Sequence, residues 1–518
     1  MHKPEERQSV RNRWRRKRGK RGGMEIQKRD FIKENSRMKQ GLLVLAFSIA
    51  FDQTLMGVLV TLCLGYGLYL ARRQRNLPRL ALWPKGLRYL LMGLWALGYL
   101  SLHNPLVQHA GVCTFNFIYV TGQYVALIWL LSRFGGSFVP PRIFSLLPDG
   151  SGKGTDKGCG GEAVVGFSGE KSEPVSSADE RGEASDSGGS GCGGGMLSRW
   201  CTAFRRQPFP VQLLLVLGGA SCIVVVLGIL QHFFGTVTDG AWIDRNANPL
   251  LKVRVYSSWE NPNILAGYLC LVASYVMGFI SVTENRRQRW GFFGFLLLTL
   301  LCLVFTFSRG FWIAMTAQLL LFVAVFYHRG IWYLLGTGLV GGLLAGPAIW
   351  QRLATLRDVM EDSSAAMRLG YLEIARAIIA DHPFGIGWYN YRYIFPEYDY
   401  YFKNPDVIMY HCHNLILNIT AELGVQGALL FVLAWLFFLR MAWELHRRGR
   451  FSWIRGYGRG YLIMSLGMLV GSMGDHVFFN VRMGMLFWTA STLLLLCRQY
   501  QSYGKAADSS VPAGTERG

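Results

Sequence analysis

Apolar residues in this chain come in long blocks separated by short polar connections, without the strict alternation that a half-buried strand requires. Measured against the roughly 20 residues that an α-helix needs to cross a bilayer, about twelve blocks predict spans: 41–52, 54–71, 86–101, 115–133, 211–235, 262–282, 291–307, 311–328, 331–350, 414–441, 461–478 and 483–498. The first is short, and the basic residues decide whether to keep it separate. With twelve spans, Arg72-Arg73-Gln74-Arg75, Arg205-Arg206, Arg286-Arg287-Gln288-Arg289, Arg329 and His446-Arg447-Arg448-Gly449-Arg450 all fall on one side, which the positive-inside rule makes the cytoplasm. Merging 41–71 into one span would put the basic segment 1–40 outside. The pattern predicts an all-α, polytopic helical membrane protein with about twelve transmembrane helices and both termini cytoplasmic.

Composition agrees, with 51% hydrophobic and 17% charged residues. The formal charge of +22 would point to nucleic acid in a soluble protein; here the basic residues flank apolar spans, so they report topology and contact with anionic lipid. Ten cysteines are scattered, with no CxxC and no Cys/His ligand spacing, so neither a disulfide framework nor a metal site is expected. The first forty residues hold no apolar stretch and no cleavable signal is expected; Met24 stands as an alternative start. Residues 134–208 form a Gly/Ser-rich insertion, too poor in apolar side chains to order and without a GxxxxGK[ST] phosphate loop, and are read as a disordered cytoplasmic linker. The expected organisation is a basic cytoplasmic tail (1–40), N-terminal transmembrane helices (41–133), the insertion, a second transmembrane domain (209–498) with a large outer loop (351–413), and a cytoplasmic C-terminal tail (499–518).

Polar chemistry then gathers on the outer side. Arg309 sits in Ser308-Arg309-Gly310 between two spans, and Asn261-Pro262-Asn263 opens another. In the outer loop, Leu369, Leu372, Ala375, Ile378 and Ile379 recur at helical spacing, predicting a surface helix from which Arg368 and Arg376 project. A turn follows at Asp381-His382-Pro383-Phe384-Gly385-Ile386-Gly387-Trp388, then a run of aromatics from Tyr389 to Phe402 that suits sugar faces and a bilayer interface equally well. His413-Asn414 ends the loop and starts an apolar helix, and nine residues later come Gly424 and Gly427. An ionisable imidazole at the mouth of a span is costly to keep without a use. Asp475 and His476, at the outer end of another span, could orient a catalytic group or form an interhelical pair.

Taken in order, Glu260-Asn261-Pro262-Asn263, Ser308-Arg309-Gly310, Arg368 with Asp381 to Gly387, and His413-Asn414 with Gly424 and Gly427 resemble the O-antigen ligase and Wzy-type polymerase superfamily of bacterial membrane glycosyltransferases, over roughly 255–495. The resemblance implies a GT-C-like fold. It also implies glycan transfer on the outer face of the bacterial cytoplasmic membrane, from a polyprenyl-diphosphate carrier such as undecaprenyl diphosphate to a hydroxyl acceptor, with no nucleotide sugar, metal or other cofactor. Arg309 and Arg368 suit a departing diphosphate, and His413 suits the base that takes the acceptor's proton. Asn263, Asn414, Arg376 and Trp388 are candidate substrate-binding residues. Plainer roles stay open for each: lipid-headgroup contact for Arg309, Arg376 in place of Arg368, helix capping or an interfacial place for His413 with His411 as rival, capping for Asn414, and close helix packing for Gly424 and Gly427.

Ligase-like transfer to a surface glycolipid or glycan ranks first, polymerisation of lipid-linked repeat units second, and protein O-oligosaccharyl transfer third. The alternative from another class is a small-solute transporter, for inorganic carbon. A transporter should carry charge at mid-membrane on broken helices, whereas only Asp52 and Glu422 are placed so here. Glu422 lies about two and a half turns beyond His413 and is expected to face elsewhere.

Overall fold

The computed structural model describes residues 33–73, 83–136, 196–235, 250–251, 253–354, 363–400 and 408–509. Most of the basic tail with Met24, nearly all of the Gly/Ser-rich insertion, Tyr401 and Phe402, and the end of the C-terminal tail lie outside these. Among the described residues the regular elements are all helical. The N-terminal helices are 33–48 (α1), Gln53–Arg73 (α2), Lys85–Ser101 (α3) and Ala110–Phe134 (α4). A separate unit, 140–207, contributes the amphipathic helix Met196–Arg206 (α5), which ends on Arg205 and Arg206. Then follow Phe209–Phe234 (α6), Pro262–Ile280 (α7), Arg286–Phe305 (α8), Arg309–Leu321 (α9, continued by a π turn to Phe326), Gly330–Leu344 (α10) and Pro347–Ala354 (α11). Ser363–Asp381 (α12), Tyr391–Tyr398 (α13), Leu415–Arg448 (α14), Ser452–Gly471 (α15) and Val481–Ser509 (α16) complete the chain, with one 3₁₀ turn at Val477–Phe479.

A helix stands at each of the twelve expected positions, and α1 and α2 are indeed separate: the chain turns before Asp52, whose carboxylate caps α2 by accepting the Leu55 N–H (2.5 Å). Eight helices among the described residues are long and apolar enough to cross a membrane, or nine if α10 and α11 are one span bent by 108°. The count of full-length apolar spans is therefore lower than twelve. Helix α3 has only 17 residues, and α15 carries Arg455 and Arg459 in its first half. The expected straight span 331–350 is the one that bends, at Gly346-Pro347, where proline cannot continue the ladder. Helix α15 starts nine residues before the expected 461 and stops at Gly471, so the polar stretch 472–476 is a loop.

Helices α7 and α16 are the most enclosed, with 78% and 89% of their spans buried. Helix α7 packs on α15 through glycine: a methyl group added at Gly278 would lie 2.6 Å from the Gly460 nitrogen and closer still to the Gly456 oxygen. This backbone-to-backbone approach is the usual means of holding helices together where lipid removes the hydrophobic drive. Gln318 of α9 is fully buried, and its amide donates to Ser274 Oγ (2.7 Å) on α7 and Ile463 O (3.2 Å) on α15. The N-terminal half joins the same bundle, α3 against α14 and α4 against α16.

Candidate active site

The loop that carries the candidate residues is anchored at a break in α14. Gly424 has φ +74° and ψ 177°, so the helix is interrupted there, and the turn Pro383–Gly387 supplies the missing partners. Ile386 N–H donates to Ala421 O and Gly387 N–H to Glu422 O (both 2.9 Å), while Val425 N–H donates to Pro383 O (3.0 Å). Gly385 and Gly387 also take positive φ, and a Cβ at Gly385 would meet Gly424 N at 2.6 Å. Only glycine tolerates both the torsion and the contact. Gly424, one of the two glycines that suggested helix packing, thus makes a backbone junction, while Gly427 faces Leu97 of α3. Glu422 lies beside the junction, its buried carboxylate close to the backbone N–H groups of Tyr389 and Tyr391, at the start of α13, and to the side chain of Asn418. Asn418 Oδ1 in turn accepts the Cys412 N–H (3.2 Å), which ties the segment carrying His411 and His413 to the same helix.

His413 has φ +53° and is half-buried. Its Nδ1 donates to Asp475 Oδ1 (3.3 Å), its ring stacks on Tyr371 of α12 (5.4 Å, 23°), and its backbone N–H donates to His411 Nδ1 (3.2 Å). Leu415 N–H donates to Ser472 O (3.0 Å), fastening the start of α14 to the loop that holds Asp475. Burial works against the Asp475 carboxylate, yet the hydrogen bond and charge of His413, with His411 and Arg368 beyond, hold it well below the usual carboxylate range. Burial also keeps the two neighbouring imidazoles neutral: His411 is lowered well below its ordinary value, with the charges of His413 and His476 adding to the effect, and His476 falls to about 4. With Nδ1 engaged by Asp475, His413 Nε2 is the nitrogen left to accept a proton.

Arginines gather beside this pair. Arg309 is buried as the first residue of α9. Ser308, at the cap position, leaves the helix start and donates its hydroxyl to Asn263 Oδ1 (2.9 Å). Arg254 donates to the same oxygen from Nη2 and to Thr306 O from Nε (both 3.0 Å), and Arg352 donates from Nε to Phe307 O (3.4 Å). Burial first, then the charges of Arg352, Arg368 and Arg309, lower Arg254 to about 9. Four guanidinium groups from four segments therefore share one field. Arg368 belongs to both sets, since its charge acts on Arg254 and on Asp475.

Residues 294–432 match the O-antigen ligase family. No curated protein matches the chain. The O-antigen ligase segment holds Arg309, Arg352, Arg368 and His413, while Arg254, Asn263 and Asp475 join them from outside it. The match over this segment agrees with the resemblance drawn from the motifs, and the apolar helices agree with a multi-pass membrane protein.

Other candidates lie elsewhere or are already engaged. Asn414 caps α14 by accepting the Leu417 N–H (3.0 Å) and donates to Met473 O (3.3 Å). Trp388 points towards the N-terminal helices, donating from Nε1 to Asn116 Oδ1 (2.9 Å) and packing edge-on against Phe117. Arg376 is exposed on α12. His411, His413 and Asp475 also carry metal-type ligand atoms, all within 4.8 Å of one another, but His413 Nδ1 and Asp475 Oδ1 face each other across a hydrogen bond. Arg254 and Arg352 were not anticipated from the sequence. Their only local signal is an arginine in an expected outer connection, close to the end of a span.

Proposed function

We propose that this end of the bundle faces outward, with both termini cytoplasmic, and transfers a glycan from a polyprenyl-diphosphate carrier to a hydroxyl acceptor as an O-antigen ligase does. One observation carries the reading: the His413–Asp475 pair and the arginine group, in and beside the O-antigen ligase segment, share Arg368 as a common electrostatic neighbour. His413 Nε2 takes the proton of the acceptor hydroxyl, whose oxygen forms a bond to the anomeric carbon. The bond from that carbon to the diphosphate oxygen breaks, and its electron pair leaves with the polyprenyl diphosphate. Asp475 steadies the imidazolium, the role a carboxylate plays behind any such histidine. Arg309, Arg368, Arg254 and Arg352 hold the charge that grows on the leaving diphosphate, and the positive end of α9 adds to their field. Asn263 positions this group by binding Arg254 and Ser308. Direct displacement inverts the anomeric configuration.

The test supplies protein in lipid nanodiscs with a synthetic polyprenyl-diphosphate oligosaccharide and separate acceptors: a glycolipid core, a second lipid-linked repeat unit, and a Ser/Thr peptide. Transfer to the glycolipid core with inverted stereochemistry is expected. Unchanged donor with every acceptor would overturn glycosyl transfer, and product only with the lipid-linked unit would make the protein a polymerase.

A further inference from the structure

Next to His411 an arginine lies against aromatic rings from two segments, and a ring from a third packs on those. Arg392 of α13 lies over the rings of Tyr393 (4.8 Å), Tyr389 (5.9 Å) and Tyr410 (4.6 Å). Phe479, in the turn before α16, stacks on Tyr389 (6.3 Å, 10°) and meets Tyr410 (6.0 Å) and the His411 ring (4.6 Å). The His411 ring is 4.4 Å from that of His413, so the aromatic surface runs without a gap to the proposed base. Rings that only anchor a bilayer interface spread around a protein's perimeter; these converge on one guanidinium. Tyr410 and Phe479 are 37% and 36% exposed, so the surface is open to a ligand.

Two further observations point to a built site. No carboxylate among the described residues pairs with Arg392, and its Nε is shielded from water without a hydrogen-bond partner, although a shielded N–H normally has one. Tyr389 takes φ +59°, a torsion costly for an aromatic residue; strain of this kind marks function more often than packing.

We propose that Arg392, Tyr389, Tyr410 and Phe479 form a subsite for an anionic sugar of the acceptor glycan. The rings take the apolar face of the pyranose, and the guanidinium pairs with its carboxylate or phosphate substituent. Its place beside His411 and His413 sets it on the acceptor side, and in that respect it rests on the function proposed above.

Binding is measured apart from transfer. Wild-type protein in nanodiscs without lipid-linked donor is titrated with three tetrasaccharides that differ in one sugar: glucose, glucuronic acid or glucose 6-phosphate. The anionic probes are expected to bind about tenfold or more tighter than the neutral one, the gain of one charge-assisted pair. Arg392→Gln should remove that difference and leave neutral binding intact; Arg392→Lys should restore part of it; Phe479→Ala should weaken all three. Equal binding of all three by wild type, no binding at all, or an unchanged preference in a folded Arg392→Gln protein would overturn the subsite. Tighter binding of only the glucuronate or only the phosphate probe identifies the substituent. Wild-type protein that binds the anionic probes selectively yet transfers nothing when lipid-linked donor is supplied would count against the transfer reading and leave the subsite standing.

Discussion

The interior of the bundle and the end that carries His413 are built on opposite terms. Inside, helices touch through glycine, as where Gly278 faces Gly456 and Gly460, and polar side chains such as Gln318 donate to partners on neighbouring helices. At the His413 end, charge and strain accumulate. All five non-glycine residues with positive φ among the described residues, Ser257, Glu260, Phe307, Tyr389 and His413, lie just before the starts of α7, α9, α13 and α14. Buried arginines show the same contrast. Arg482 gives its N–H groups to the carbonyls of Ile49, Ala50 and Ser258 and covers Trp259 at 4.0 Å, a structural tie between segments far apart in the chain. Arg254 instead lies in the field of three other arginines. Packing rewards the first arrangement and gives no reason for the second, so the repulsion and the strain mark the end of the molecule where chemistry is to be sought.

The contrast can be broken at either region. The largest effect is expected from His413→Ala, which should cut transfer by about 10²–10⁴-fold, the usual worth of a positioned base, while the melting temperature measured by scanning fluorimetry stays near wild type; full activity would remove His413 from the mechanism. Arg368→Lys should come next, at about 10–10²-fold, since charge remains but the planar fork is lost; an equal loss in donor-independent probe binding would show that the damage is general. Within the bundle, Gly278→Leu should destabilise by about 1–3 kcal/mol or more through forced separation of α7 and α15, read as a lowered midpoint, and an unchanged midpoint would mean the helices do not depend on that contact.

Smallest is a pH effect on stability. His476, at about 4, and His411 are lowered in the folded protein, so the unfolded chain takes up protons that the folded chain refuses as pH falls from about 6.5 towards 4. Stability is therefore fully present above that window and declines through it, and Asp475, also lowered, extends the decline to more acid pH. His476→Asn should flatten the slope of midpoint against pH; an identical slope would deny its burial as the cause.

Much of this was legible in the residues. Apolar block length placed the long apolar helices, though not α5 or α13, the placement of basic residues separated α1 from α2, and the order of four short motifs pointed to the family that matches 294–432. Local chemistry also anticipated that Asn414 caps a helix. Other features were not legible because each depends on a partner distant in the chain. Glu422 looked like a stray charge within a span, and it lies beside the backbone of Tyr389 and Tyr391. Trp388 looked like a sugar contact, and its indole is bound to Asn116, 272 positions away. The bend between α10 and α11 escaped a reading by hydrophobicity alone, since an apolar run of sufficient length reads as a span whether or not it is straight.

By itself the sequence determined helices, apolar spans and a family resemblance, because periodicity, block length and motif order are properties of neighbouring residues. Only the tertiary structure decided that Arg254 and Arg352 join Arg309 and Arg368, that Asp475 is the partner of His413, and that Arg392 sits among tyrosines. Those are meetings of segments separated by tens to hundreds of residues, and a field or a hydrogen bond depends on distance in space, which the spacing of letters along a chain does not carry.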